Sequence, residues 1–183
     1  MEVENLKTSD IPELVELFHK AYAANEALGI HFKAATITAQ ELEKIRRALP
    51  IFVTKREQKI VSTVSIRLPW SSNPSPFALP HLGWLATDPS QSGQGLAKEL
   101  VKRVTDDFVI KELRAPALTL GTAAEHPWLV RAYQKMGFSY LGERQLFSDH
   151  KTIYLIRIFD GQALRLVKDN ELLKRLKEIG YEL

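Results

Sequence analysis

Residues 85–100 read LATDPSQSGQGLAKEL. An apolar run ends at Thr87, and Asp88-Pro89 turns the chain. A small polar segment, 90–95, follows. Leu96, Leu100, Val104 and Phe108 then recur every four residues, which predicts a helix over 94–110. The reading is therefore strand, glycine loop, helix. Glycine lets a backbone turn sharply and approach a ligand closely. The N–H groups at a helix start carry partial positive charge and attract an anion. Ser92, Gly93, Gln94, Gly95, Leu96 and Ala97 are thus candidates to hold a phosphate or pyrophosphate. A plain glycine turn with no ligand is the alternative.

Two phosphate loops are excluded by spacing. A Walker A loop needs a Gly-Lys-Ser/Thr ending, and Lys98 neither follows a glycine nor precedes a Ser or Thr. A dinucleotide fingerprint needs a third glycine where this chain has Lys98.

Upstream, residues 2–7 alternate around Val3 and Leu6 and predict a short strand. Asp10 with Glu13 three residues later fits a helix N-cap and its reciprocal partner, and Pro12 is tolerated in the first turn. Ile11, Leu14, Val15, Phe18 and Tyr22 mark the helical face. A second helix is expected over 38–49, capped by Thr38 with Glu41 and stopped by Pro50. Strands at 51–54 and 60–68 are joined by a polar turn. Residues 69–80, PWSSNPSPFALP, carry four prolines and three serines and form a long loop of the kind that is usually functional or mobile. The strand 81–87 leads into the opening segment.

Downstream, a strand is expected over 117–121 and a helix over 126–136 ended by Gly137. Strands at 138–147 and 152–159 are joined by a turn at 148–151. A final amphipathic helix, 169–179, carries Leu172, Leu173, Leu176 and Ile179. The order β-α-α-β-β-β-α-β-α-β-β-α mixes hairpins with βαβ crossovers. It predicts the α/β class, an α+β mixed sheet with helices on both faces. Residues 1–183 read as one domain, with a core over 2–159 and a C-terminal helical appendage over 160–183.

Composition narrows the function classes. The chain has 183 residues, 45% hydrophobic and 26% charged, which excludes a disordered or fibrous protein. It has no cysteine, so disulfides, cysteine-ligated zinc and a thiol nucleophile are excluded. The 25 Lys and Arg are interspersed with 22 Asp and Glu for a net charge of +3, which speaks against nucleic acid as partner. No apolar run is long enough to span a membrane, and no leader is recognised, so the expected location is the cytoplasm. The five histidines, His19, His31, His81, His126 and His150, lack metal-ligand spacing, and no metal is expected.

The loop resembles that of the GNAT superfamily of acyl-CoA N-acyltransferases, in which Arg/Gln-x-x-Gly-x-Gly/Ala opens a helix. Gly95 and Ala97 occupy the two small positions, while Ser92 stands at the first, with Gln91 one residue early. The family's next helix carries Asn, Tyr seven positions on, and Gly-Phe beginning four positions after that. Here His126, Tyr133, Gly137 and Phe138 have that spacing, with His126 in place of the asparagine. The element order over 2–159 is similar too, and the motif matches lie within 81–138.

The resemblance implies a GNAT-like fold, β-α-α-β-β-β-α-β-α-β-β, with splayed central parallel strands at 81–87 and 117–121 and an extra C-terminal helix. It implies acetyl-CoA as co-substrate: pantetheine against the backbone of Leu85, Ala86 and Thr87, pyrophosphate on the amides of 93–97, and His126 at a cofactor-binding position. The reaction is direct attack of a primary amine of a small molecule or peptide on the thioester in a ternary complex. Tyr133 is the candidate acid at the departing sulfur, a core aromatic being the alternative. His81, sharing one strand face with Gly83, Leu85 and Thr87, is the candidate base with an ordinary pKa of about 6.5. Glu125, His126 or a bound water are its rivals. Acceptor contacts are expected from 23–37, with Leu28, His31 and Phe32, and from Trp70 and Phe77, which could equally be loop anchors. Without an acidic cluster, a polyamine acceptor is not favoured. A non-catalytic CoA or acyl-CoA sensor is the alternative function, and homodimerisation is left open.

Overall fold

The computed structural model describes residues 2–26, 29–146, 148 and 151–182. Leu28, Phe147 and His150 lie outside the described residues. The chain divides into two compact units, Met1–Ile66 with Gly83–Val104, and Arg67–Leu82 with Thr105–Leu183. Their seven strands make the fold a mixed α/β one.

In the first unit, β1 (Val3–Asn5), β2 (Ile51–Arg56), β3 (Lys59–Arg67) and β4 (His81–Thr87) are ordered β1-β2-β3-β4. Pairing is antiparallel at β1–β2 and β2–β3, for example Glu4↔Val53 and Phe52↔Val64. The β2–β3 turn is two residues, Glu57 and Gln58, with φ of 49° and 65°. Positive φ at both positions matches the twist that a two-residue hairpin requires. Helices α1 (Ile11–Glu26) and α2 (Ala39–Ala48) present Leu14, Phe18 and Leu42 to a core that includes Ile37 and Val53. Thr38 and Glu41 form the expected capping box: Thr38 N–H donates to Glu41 Oε2 at 2.9 Å, and Glu41 N–H donates to Thr38 Oγ1 at 3.3 Å. Asp10 and Glu13 do not. A short 3₁₀ turn, Thr8–Asp10, precedes α1; Asp10 accepts from Lys55 Nζ at 2.9 Å, and Glu13 accepts from Ile60 N–H at 2.8 Å. Contacts with the β2–β3 hairpin win over the local cap.

In the second unit the order is β4-β5-β7-β6, with β5 (Ala117–Ala123), β6 (Ser139–Arg144) and β7 (Thr152–Ile158). His81 and Leu82 pair in parallel with Thr119 and Leu120, and β5–β7 and β6–β7 are antiparallel. Phe77 is buried with its ring 5.0 Å from that of Tyr154, so it anchors the proline-rich loop, whereas Trp70 is 69% exposed. The tail is no appendage in its packing. Leu164 of α5 (Gly161–Leu164) and Leu172 and Leu176 of α6 (Asn170–Glu178) are fully buried with Phe77, Leu141 and Ile156.

The helix expected over 94–110 begins and ends two residues later and changes type. The α-helical part, α3, is Leu96–Val104, and π-helical turns follow over Thr105–Glu112. The wider ladder shows in Leu113 N–H donating to Phe108 O at 2.9 Å.

Candidate active site

The loop after β4 is shaped by three local devices. Asp88 Oδ1 accepts from Ser90 N–H at 2.8 Å and from the Ser90 hydroxyl at 2.7 Å, fixing the turn Pro89–Gln91. Gly93 and Gly95 sit at φ of 78° and 76°, where a side chain would be strained, and a Cβ on either would project into open space. Leu96, Leu100, Val101 and Val104 bury one face of α3 and fix its start. The first helical donor is Glu99 N–H, bonded to Gly95 O at 3.0 Å. The N–H groups of Leu96, Ala97 and Lys98 therefore precede the helical ladder. Ser92, Gly93, Gln94 and Gly95 are exposed. N–H groups ahead of a helical ladder, behind an exposed glycine loop, fit a pyrophosphate.

A cation reaches the loop that the sequence did not reveal. Arg56, at the end of β2, donates through Nη1 to Gln91 Oε1 at 3.1 Å and to Gln94 Oε1 at 2.6 Å. Lys20 and Lys59 also act on Asp88, which Ser90's hydrogen bonds hold below the usual carboxylate range. Positive charge thus surrounds a loop whose own first motif position is only Ser92.

Strand β4 departs from simple alternation. Trp84 has φ of 51°, in the left-handed region. Gly83 lies opposite Ser65, whose Oγ is 3.5 Å from the place of a Gly83 Cβ, whereas Asp88 N–H bonds Val61 O at 2.9 Å. The register has shifted by one between those points, the mark of a bulge. The expectation that His81, Gly83, Leu85 and Thr87 share one face fails at this residue. Left-handed backbone in a bulky residue costs roughly 1–2 kcal/mol; the Trp84 ring, 5.4 Å from Phe18 in an edge arrangement, offsets it by packing. Beyond the bulge, Leu85 O accepts from Tyr22 Oη at 2.9 Å and Ala86 O from Ser62 Oγ at 3.0 Å. Ser62 Oγ also lies 3.1 Å from Thr87 Oγ1.

In the second unit, α4 (Pro127–Gln134) starts at His126, which is 2% exposed, with its ring 4.7 Å from Trp128. Tyr133 lies buried on this helix, its ring edge-on to Phe138 at 6.2 Å. Gly137, at φ of 91°, ends the segment, and Phe138 N–H returns to Tyr133 O at 3.2 Å. Burial pushes the Tyr133 phenol up to about 12. Tyr133 is therefore a neutral O–H donor across the physiological range.

His81 requires a correction of its expected proton affinity. It is buried, and Nδ1 lies 2.8 Å from Thr119 Oγ1. Burial first, and the Arg67 charge second, push its pKa down to about 3 rather than leaving it near 6.5. The imidazole is neutral at pH 7 and a weak base. Its rival Glu125 is exposed and accepts from Lys151 N–H at 3.3 Å. Of the acceptor-side residues, Phe32 packs 5.7 Å from Tyr22. Among the described residues no helix is long and apolar enough to cross a membrane, and no group of three or more His, Cys, Asp or Glu could hold a metal ion.

Residues 11–138 match the Acetyltransferase (GNAT) family. The chain is 33% identical over 146 residues to the S-(2-succino)cysteine N-acetyltransferase of Bacillus subtilis, covering 80% of this chain and 88% of that protein. It is also 33% identical over 141 residues to the S-alkylcysteine N-acetyltransferase of the same organism, covering 76% of this chain and 79% of the relative. The chain belongs to the GNAT acetyltransferase family. It is an acyltransferase enzyme, with CoA as the carrier of the group that it transfers. Among solved GNAT structures, YncA of Salmonella typhimurium with its cofactor acetyl-CoA shares the fold, at a TM-score of 0.67 and 14% identity, covering 87% of this chain and 94% of that one. The GNAT match includes the glycine loop, Tyr133 and Phe138. Both curated relatives are transferases, and nothing in them favours a non-catalytic sensor.

Proposed function

We propose that this GNAT enzyme transfers the acetyl group of acetyl-CoA to the α-amine of an S-substituted cysteine, by direct attack in a ternary complex. The observation that carries the acceptor class is that two relatives, each matched over most of its length, are named as N-acetyltransferases of S-(2-succino)cysteine and S-alkylcysteine. One transferase domain over residues 1–183, working in the cytoplasm where acetyl-CoA and free amino acids meet, is part of the same proposal.

Acetyl-CoA, when bound, supplies an acetyl thioester. The C–N bond forms as the C–S bond breaks; the amine loses a proton and the sulfur gains one. The amides of Gly93, Gln94, Gly95, Leu96 and Ala97, with Ser92 and the Arg56 guanidinium beside them, hold the pyrophosphate. Leu85, Ala86 and Thr87 offer backbone to the pantetheine amides in the manner of an added strand; Leu85 O keeps a lone pair after its bond from Tyr22. His126, at the head of α4, is assigned to the cofactor side.

Tyr133 steadies the departing sulfur by a hydrogen bond. Complete proton transfer from a phenol near 12 to a thiolate near 8.5 would be uphill by about 3.5 units, about 5 kcal/mol. The O–H therefore donates without leaving, and the thiolate collects its proton from water. A base of pKa about 3 gains nothing by taking a proton from an α-ammonium of about 8. We assign the amine's proton to water, with His81 as a neutral partner of Thr119.

The test is release of CoA thiol from acetyl-CoA across a panel of amines; the protein has no cysteine to cloud the read-out. Turnover with S-alkylcysteines above that with spermidine or peptides is expected. No turnover with any S-substituted cysteine would overturn the acceptor class.

A further inference from the structure

Three guanidiniums of the second unit, those of Arg67, Arg144 and Arg175, act on the hydroxyl of Tyr154. Two of them are matched. Arg144 Nη2 lies 2.9 Å, and Arg175 Nε 2.8 Å, from the same oxygen of Glu171. Arg67 is different. It closes β3, is only partly exposed, and its Nε is shielded from solvent without a hydrogen-bond partner. Among the described residues its side chain makes no ion pair. Desolvation accordingly lowers its pKa. A buried charge without a counter-charge is costly, and such groups are normally paired.

The groups around Arg67 do not supply that partner. His81 is neutral at pH 7 and is already joined to Thr119. Tyr154 is half-buried with its phenol raised, hence uncharged, and its ring packs against Phe77 and His81. These rings form an apolar wall beside a planar fork of donors. A carboxylate is the anion whose two oxygens match that fork.

We propose that Arg67 binds the carboxylate of the acceptor and thereby selects α-amino acids over simple amines. The proposal rests on the acetyltransferase reading above and adds to it the residue that makes the substrate class. The same cation repels polyamines, which carry only positive charge.

The test compares S-propylcysteine with S-propylcysteine amide in the wild type, Arg67→Gln and Arg67→Lys, by thiol release. Calorimetric binding of S-propylcysteine to the CoA-saturated protein accompanies it. Wild type is expected to favour the acid. Arg67→Gln loses about 100-fold in kcat/KM for the acid, as for one partner of a buried charge pair, and less than about threefold for the amide. Arg67→Lys falls between, and binding weakens in parallel. Turnover of the amide serves as the folding control. Equal losses on both acceptors would give Arg67 a structural role and overturn the proposal, as would an unaffected acid. A wild type that binds CoA but acetylates neither compound would overturn the acceptor class and this proposal together.

Discussion

Arg56 and Arg67 lie eleven positions apart at the ends of neighbouring strands, and they solve opposite problems. Arg56 is exposed and occupied by Gln91 and Gln94. A solvated cation costs little to maintain, and it adds field and donors to a loop that we propose binds through its backbone. Arg67 is half-buried, and among the described residues its Nε has no hydrogen-bond partner and its side chain no ion pair. Such a cation is expensive unless a ligand completes it. The same contrast separates the exposed glycine loop from the buried titratable groups Tyr133 and His81. Water screens the first kind of site; burial sets the protonation states of the second.

The contrast can be broken by experiment. Tyr133→Phe should lower kcat by roughly 10–10³-fold, with KM for acetyl-CoA nearly unchanged, since the donor in the proposed mechanism acts on the sulfur only as the bond breaks. An unaltered kcat would remove Tyr133 from the chemistry. Arg67→Gln should shift the acid-to-amide preference by about 100-fold. Arg56→Ala should raise KM for acetyl-CoA by about fivefold, the effect of roughly 1 kcal/mol at a screened position. Its effect should shrink at high salt and leave kcat alone; a salt-independent loss would mean that Arg56 shapes the loop instead.

His81 tests the buried side through stability. Its folded pKa of about 3 lies below the unfolded value of about 6.5. Below pH 6.5 the unfolded chain takes up a proton that the folded chain refuses until near pH 3. Stability is therefore fully present above 6.5 and falls as pH drops, by about 1.4 kcal/mol per pH unit. In denaturant titrations between pH 6 and 4, the advantage of wild type over His81→Asn should shrink at about that slope. A constant difference would show that the imidazole is protonated when folded. The profile of kcat/KM should likewise lack a limb near 6.5 that His81→Asn abolishes.

Local chemistry was legible in the sequence where it decided structure within a few residues. The Thr38–Glu41 box, the glycines at 93 and 95 and the stop at Gly137 each act across one turn. Asp10 and Glu13 carry the same local signal, yet both are claimed by the hairpin more than forty residues away. The bulge at Trp84 left no mark either, because an aromatic in a strand pattern predicts extended backbone; its left-handed φ is held by packing on Phe18. Nothing in the sequence sets apart Arg56, in the polar turn after 51–54, or Arg67, within the strand 60–68. Only the fold shows that one meets two glutamines and that the other, among the described residues, has no counter-charge. The tail helix was recognised by its period, but period alone does not say which surface it covers.

The burial of Leu172 and Leu176 against Phe77 and Leu79 has a consequence for how the protein is made. A ribosome delivers residues in order, and domains tend to fold as their residues emerge. The first unit has all its strands and helices once Val104 is out. The segment Arg67–Leu82 belongs to the second unit and must wait, with Phe77 and Leu79 uncovered, while nearly a hundred further residues are added. Its partners are among the last to appear. A nascent chain stalled before Leu172 would hold a finished first unit beside an apolar loop without its cover, a natural target for chaperones.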